Sequence, residues 1–290
     1  MFTRILLLFL LFYSPLSCSD PAKNIQWFQY DLPPYHILRG QYVGQGPLDH
    51  MFKLWQQTLP EYQHNTIPVN TTRMLREFTS NRNYRCITGS FIFPVSSKNW
   101  LWSKPVYVEP PALIVTRNDV WAKLNKPESI DFDTLLKDPN LIFGHFDGRI
   151  YSGQIDQKVQ SIINNKNIVT IATHASGESL MKMLHRRRVD YILEYLPEIH
   201  WLGLSKQLGY TEDFATIKLK NHKTLMPVHV GCVKSEWGKG IINRLNQVIT
   251  VGNRKLIWHY YEQWLKKPAL KKYFHDIQVK HFNELSNATE

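Results

Sequence analysis

Few residues of this chain are spaced for covalent or metal chemistry. The 290 residues include 12 histidines and three cysteines, but the sequence contains no CxxC pair and no HExxH motif. Zinc sites need such ligands at short, regular spacing. No Ser/His/Asp or Cys/His arrangement can be defended as a nucleophile with its base. We therefore expect no metal, no cofactor and no enzymatic activity.

Two of the cysteines lie in strand-like segments, Cys86 in YRCITGSFIF and Cys232 in PVHVGCV. An exported protein can keep a disulfide, because it leaves the reducing cytosol. These two residues either face each other as a disulfide or stay as buried free thiols. Both alternatives are open from the sequence.

The first 19 residues have the layout of a secretory signal peptide. Arg4 precedes an apolar run from Ile5 to Tyr13, and small residues follow. The run is too short to span a bilayer, which needs about 20 apolar residues. We expect cleavage after Ser19. The alternative is a lipoprotein acylated at Cys18, which Pro15 disfavours because an aliphatic residue is preferred there.

The charge of the chain is strongly basic, with 35 Lys and Arg against 24 Asp and Glu, a formal net charge of +11. A nucleic-acid surface would cluster these positive residues with interleaved aromatics. Here they are scattered, apart from HRRR at 185–188 and KKPALKK at 266–272. Both runs lie near predicted helix ends, where cations favour the helix dipole. We expect no nucleic-acid partner; an anionic envelope surface or an acidic ligand are the remaining alternatives.

Hydrophobic periodicity predicts alternating strands and helices. The strand IQWFQY precedes a helix that starts at Pro47 and buries residues 48, 51, 52, 55 and 59. A strand near residues 66–69, a helix capped at Asn70 or Thr71 and the strand YRCITGSFIF complete this round. A second round follows over residues 112–219, and the strand PVHVGCV opens a helical end section in which Gly252 is predicted to stop the first helix. This order indicates two α/β lobes with largely parallel sheets.

The stretch FPVSSKNWLWSKPVYVEPP, residues 93–111, mixes aromatic, hydroxyl and basic side chains. If it is extended, Trp100 and Trp102 share one face. We expect its tryptophans to fill a core.

Five segments together resemble the bacterial extracellular solute-binding proteins of family 3, the amino-acid-binding type, and in particular a divergent proteobacterial branch. They are YDLPPYHI, GQYVGQGPLDHMFKLW, CITGSFIFPVSSKNWLWSKPVY, SGESLMKMLHRRRVDYILEY and GCVKSEWGKGIINRLNQVI. The resemblance covers essentially all of the chain after the signal peptide, and it depends on the order of the segments.

The resemblance implies a two-lobe periplasmic-binding-protein-like fold of type 2, the Venus flytrap. It predicts two mixed, mostly parallel sheets flanked by helices and joined by a two-strand hinge. The first lobe would contain residues 20–114 and 223–290, and the second lobe residues 115–222. A ligand would lie in the cleft between the lobes.

The resemblance also implies ligand-binding residues. Thr88, Gly89 and Ser90 fall where relatives hold an α-carboxylate, and Lys98 falls where many relatives carry an arginine. Lysine lacks the planar two-point fork of arginine, so a standard α-amino acid is in doubt as ligand. On the second lobe the matching positions are Arg149 and Tyr151, in a loop and helix start, and Glu194, where relatives bind an amino group. Tyr30 and Tyr35 would stack on the ligand. The alternatives are a solvated Lys98, a structural ion pair for Arg149 and an ion pair within its lobe for Glu194.

These features predict a periplasmic, monomeric protein that captures a small polar ligand, amino-acid-like, zwitterionic or anionic, for an ABC transporter permease. One alternative is a sensory or envelope-associated binding module that works with a sensor protein. Another is a dehydratase on the same fold, with Glu194 and Lys98 as acid and base.

Overall fold

The computed structural model of the protein describes residues 20–80, 82–96, 98–162, 165–171, 178–204 and 214–287. The predicted signal peptide, with Cys18, lies outside these ranges. Within them, no helix is long and apolar enough to cross a membrane.

The first sheet contains six strands, in the order β2-β1-β3-β12-β4, with β5 also paired to β12. Their bounds are β1 Asn24–Tyr30, β2 Gln63–Val69, β3 Arg85–Ser90, β4 Trp100–Trp102, β5 Tyr107–Glu109 and β12 Met226–Val233. Strand β1 runs parallel to β2 and β3, whereas β12 runs antiparallel to its three neighbours. The sheet is mixed because β12, which comes late in the chain, runs opposite to β1, β2 and β3.

The second sheet also has six strands, in the order β7-β11-β6-β10-β8-β9. They are β6 Leu113–Arg117, β7 Ser129–Ile130, β8 Phe143–Phe146, β9 Ile168–Ile171, β10 Tyr191–Glu194 and β11 Phe214–Leu219. Here β6 pairs antiparallel with β10 and β11, and the other pairs are parallel. Two mixed sheets were expected, and the structure confirms them.

Ten helices are described, and most of them cover the faces of the sheets. They are α1 Pro47–Thr58, α2 Thr71–Phe78, α3 Asn118–Lys123, α4 Phe132–Lys137, α5 Gly153–Ile162, α6 Glu178–His185, α7 Leu196–Leu204, α8 Glu236–Val248, α9 Val251–Glu262 and α10 Pro268–Asn287. Separate apolar clusters form on each sheet. We call each sheet with its helices a lobe.

The chain crosses between the two sheets twice. It leaves the first sheet after Glu109 and joins the second at Leu113, and it returns between Leu219 and Met226. Leu113 and Ile114, which the resemblance assigned to the first lobe, therefore pair in the second sheet. The two crossings lie side by side, since Glu109 at the end of β5 is opposite Met226 at the start of β12.

Cys86 and Cys232 form a disulfide. The two residues are register partners in the antiparallel pair β3 and β12, and both are fully buried. The disulfide therefore joins an early strand of the first lobe to the strand that returns from the second lobe.

The end section differs from the sequence prediction at Gly252. Helix α8 already ends at Val248, and Gly252 lies in the first turn of α9. Thr250 is the reason, because its side chain accepts a hydrogen bond from the Asn253 amide and so caps a new helix. The last helix, α10, continues through the polar end of the chain up to Asn287.

Candidate ligand-binding cavity

A cavity of about 370 Å³ lies between the two lobes. Strands and loops of the first lobe form most of its wall, and the loop after β8 closes the opposite side. Its lining residues are Tyr30, Asp31, Leu32, Tyr35, Arg39, Leu48, Pro68, Val69, Asn70, Met74, Gly89, Ser90, Phe91, Phe93, Tyr107, Glu109, Phe146, Asp147, Gly148, Arg149, Ile150, Tyr195 and Val228. This size is within the usual range for small-molecule sites.

The carboxyl ends of strands from both sheets converge on this cavity. Tyr30, Val69, Ser90, Glu109 and Phe146 are the last residues of β1, β2, β3, β5 and β8, and all of them line it. In α/β proteins this edge of the sheet is the usual place for a ligand, because loops there are free to carry function.

The loop that carries Tyr35 is held by a buried polar network. The Asp49 carboxylate accepts hydrogen bonds from the amides of Ile37 and Gly46 and contacts the His36 ring, whose other nitrogen contacts the Thr88 hydroxyl. Gly46 is required there, since a Cβ on it would lie 2.1 Å from the Tyr35 carbonyl oxygen. The network fixes Tyr35 against the cavity.

Arg149 is a largely buried cation of the second lobe, with a side chain that is 13% exposed. Its guanidinium donates from Nη1 to Glu198 Oε1 at 3.0 Å and from Nη2 to Glu194 Oε2 at 3.0 Å, and Nη2 also contacts the second oxygen of Glu198. It lies over the Tyr195 ring, 5.1 Å from the centroid. Burial and the neighbouring Glu198 charge raise the pKa of Glu194 well above its usual range, although Arg149 opposes the shift. The Arg149 Nε has no hydrogen-bond partner among the described residues.

Glu109 is the buried acid at the first-lobe crossing. It is 1% exposed, and the Tyr261 hydroxyl donates to its Oε1. Its Oε2 and the Tyr35 hydroxyl are both buried without a hydrogen-bond partner among the described residues, and Tyr35 lies near enough to lower the pKa of this carboxyl. Burial raises the pKa of Glu109 to about 8, against the opposing hydrogen bond from Tyr261.

The remaining wall is mainly apolar and aromatic. Phe91 and Tyr195 meet across the cavity, from the first and second lobes, with ring centroids 5.9 Å apart. Tyr30 lines the same wall, and burial raises the pKa of its hydroxyl. Such a surface can hold an apolar ligand body, while Glu109, Arg149 and Ser90 provide polar groups in the wall.

The structure brings five of the nine ligand-binding positions implied by the resemblance to the cavity. Those lining it are Tyr30, Tyr35, Gly89, Ser90 and Arg149.

The other four positions lie elsewhere. Thr88 and Glu194 are fully buried, and both have partners already described. Tyr151 is fully buried in the core of the second lobe. Lys98 is exposed in the turn before β4. Trp100 and Trp102 also lie outside the lining and pack against Phe78 in the first lobe.

Sequence reasoning missed several lining residues, among them Asp31, Asn70, Phe91, Glu109, Asp147 and Tyr195. Glu109 had a visible signal, since an acid in the apolar segment VYVEPP is unusual for a strand that is to be buried. Glu198 carried no such signal, because a glutamate in the first turn of a helix is common for its effect on the helix dipole.

The comparisons with known proteins support the architecture. The sequence matches no protein-family model and no curated protein. Solved structures do match. The L-arginine-bound substrate-binding protein AbpA of an amino acid ABC transporter from Streptococcus pneumoniae is 15% identical, with a TM-score of 0.59 over 84% of this chain and 97% of that one. The VFT2 domain of BvgS from Bordetella pertussis is 13% identical, with a TM-score of 0.58 over 83% and 93%.

A histidine kinase sensor domain with similarity to periplasmic binding proteins is 11% identical and reaches a TM-score of 0.61 over 83% of this chain and 95% of that one. At these identities the likeness concerns the fold alone. The chain has the two-lobe Venus flytrap fold of periplasmic binding proteins.

Proposed function

We propose that this protein is a periplasmic binding protein that captures a small polar ligand, on the scale of an amino acid, in the cavity between its lobes. The observation that carries the proposal is the cavity of about 370 Å³ between the lobes, with Glu109 and Arg149 in its wall. Among the described lining residues, the Tyr35 hydroxyl, Glu109 Oε2 and Arg149 Nε are buried without a hydrogen-bond partner. A buried polar group without a partner costs about 1–3 kcal/mol, and a ligand that bonds to such groups recovers that cost.

Delivery to an inner-membrane ABC permease is the favoured role, because two structurally similar proteins are substrate-binding proteins of amino acid ABC transporters. A sensory module is the second candidate, because two other neighbours are sensor domains. In both roles the protein works as a monomeric, non-enzymatic binding module exported by its signal peptide. Membership of the proteobacterial branch of family 3 stays a prediction.

The first experiment is a thermal unfolding panel on the purified protein, with amino acids, amines, organic acids and cell-wall peptides. A ligand that binds only the folded state stabilises it by about 2.7 kcal/mol at a hundredfold excess over Kd. We expect at least one chemical class to raise the melting temperature. If none of them does, the cavity does not bind a small metabolite.

A pair of variants then locates the binding. Ser90 lines the cavity and is nearly buried, so Ser90→Trp should fill the cavity and abolish the melting-temperature shift. Lys98 is exposed outside the lining, so Lys98→Trp should leave the shift unchanged. If Lys98→Trp loses the melting-temperature shift and Ser90→Trp keeps it, the ligand binds at Lys98, in the carboxylate site that the resemblance implies.

A further inference from the structure

The cations that line the cavity are already neutralised. Among the described lining residues they are Arg39 and Arg149. Arg39 is 81% exposed and pairs with Asp31 at 2.5 Å. Both terminal nitrogens of Arg149 are taken by Glu194 and Glu198. A ligand carboxylate at Arg149 would meet a guanidinium whose charge Glu198 already balances, and repulsion from Glu198 would oppose it.

Arg149 still offers its Nε–H, because that nitrogen has no partner among the described residues. One N–H on a balanced charge suits a neutral acceptor, such as a hydroxyl or carbonyl oxygen. It does not provide the two-point fork that holds a carboxylate.

The end of the cavity at Glu109 favours a cationic group, in contrast to the side at Arg149. Glu109 lines the cavity at the inner end of β5, and its Oε2 has no hydrogen-bond partner among the described residues, with the buried Tyr35 hydroxyl beside it. The rings of Tyr35 and Tyr107 surround the same position, each packed against Tyr261 with centroids 6.2 and 5.6 Å away. A carboxylate among aromatic rings is a favourable site for an ammonium group, which binds both the oxygen and the ring faces.

We propose that the cavity selects a small organic amine without a carboxylate, with its ammonium group on Glu109 and its apolar or aromatic body against Tyr30, Phe91 and Phe93. This inference rests on the proposed function and narrows its ligand class. In this proposal Glu109, at the end of β5, determines the specificity for amines, and Lys98 does not contribute to it.

Binding should also displace a proton. The pKa of Glu109 is about 8, raised by burial, so its carboxyl is largely neutral at pH 7 until an ammonium group arrives. The groups that act on it are Glu198 from α7, Arg149 from the loop after β8, Tyr261 from α9 and Tyr35 from the loop before α1. We expect roughly one proton released per amine bound at pH 7, which calorimetry in two buffers of different ionisation enthalpy measures.

The test compares matched pairs of probes by calorimetry on the purified protein. The pairs are phenethylamine with phenylalanine, tyramine with tyrosine, and cadaverine with lysine; each amine lacks only the carboxylate. We expect at least one amine to bind tenfold or more tightly than its amino acid. Equal or tighter binding of the amino acids would overturn the amine class and leave the binding function intact.

Variants assign the selectivity to Glu109. Glu109→Gln keeps the size of the side chain and an acceptor for Tyr261, and it should weaken amine binding at least tenfold and abolish proton release. The matched control is Asp147→Asn, a lining acid that is exposed at the mouth, and it should change the affinity less than threefold. Equal losses in both variants would mean general electrostatic attraction and would overturn the role of Glu109.

The wild-type comparison decides the ligand class even if the Glu109 variant does not fold. If only organic acids or neutral peptides bind, the proposed amine specificity is wrong and the binding function stands. If no compound of the wider panel binds, both the amine specificity and the binding function are wrong.

Discussion

Burial gives the Glu109 carboxyl an effect on stability as well as on binding. In the folded protein its pKa is about 8, above the ordinary value of 4.5, because it is removed from water. Between these two values the folded state keeps a proton that the unfolded state has released. This group therefore makes the folded protein progressively less stable as pH rises from about 4.5 to about 8.

The Glu109→Gln variant lacks this titration. We expect its stability relative to wild type to increase from pH 5 to pH 8 by a few kcal/mol, since one pKa unit corresponds to about 1.4 kcal/mol. Urea unfolding of both proteins at pH 5, 6, 7 and 8 measures the difference. A difference independent of pH would mean that Glu109 has an ordinary pKa in the folded state.

At the scale of single elements, the disulfide between β3 and β12 is the strongest constraint in the first lobe. It joins residues 146 positions apart. In the chain-entropy model, closing a loop of this length lowers the free energy of the folded state relative to the unfolded state by about 5 kcal/mol. The strand that returns from the second lobe is thereby kept in register beside β3, whose end forms part of the cavity.

We expect the double variant Cys86→Ala, Cys232→Ala to lose about 3–5 kcal/mol of unfolding free energy, measured by urea unfolding. Wild type treated with a reductant is the matched control and should lose a similar amount. Peptide mapping without reduction should recover the two cysteines as one linked pair. Recovery of two unlinked peptides would contradict the bond.

At the scale of the whole molecule, helix α7 connects the cavity with the contact between lobes. Its Glu198 binds Arg149, and its Leu196 packs in the apolar cluster of the first lobe. Its Trp201 lies between Tyr42 and Trp264 of the first lobe, with ring centroids 5.6 and 5.1 Å away. A ligand that contacts Arg149 therefore acts on a helix that both lobes share.

Trp201→Ala should let the lobes separate and should cost about 1–3 kcal/mol of unfolding free energy, because edge-on aromatic pairs and buried ring area are lost. Small-angle scattering of the ligand-free protein should show a larger radius of gyration. Trp237 contacts Tyr62 and Tyr84 within the first lobe. Trp237→Ala is thus the control, expected to lose stability without an increase in radius. An unchanged radius in both variants would mean that Trp201 does not hold the lobes together.

The order of the elements was predictable from the sequence, because helices and strands leave local patterns. The spacing of Leu48, Met51 and Trp55 predicted α1. Asn70 or Thr71 was expected to cap α2, and it is the Asn70 side chain that accepts from the Arg73 amide. The same local reasoning was wrong at Gly252, because the cap at Thr250 starts a new helix before the glycine is reached.

The sequence by itself determined two α/β lobes and an absence of motifs for covalent or metal chemistry, since composition, periodicity and motif spacing are properties of neighbouring residues. Only the tertiary structure decided which charges meet. Arg149 pairs with Glu194 and Glu198, which are 45 and 49 positions away, and Glu109 became a buried acid in the cavity wall. The physical reason is that burial and ion pairing depend on which strand ends converge, and that convergence is set by pairing between distant strands.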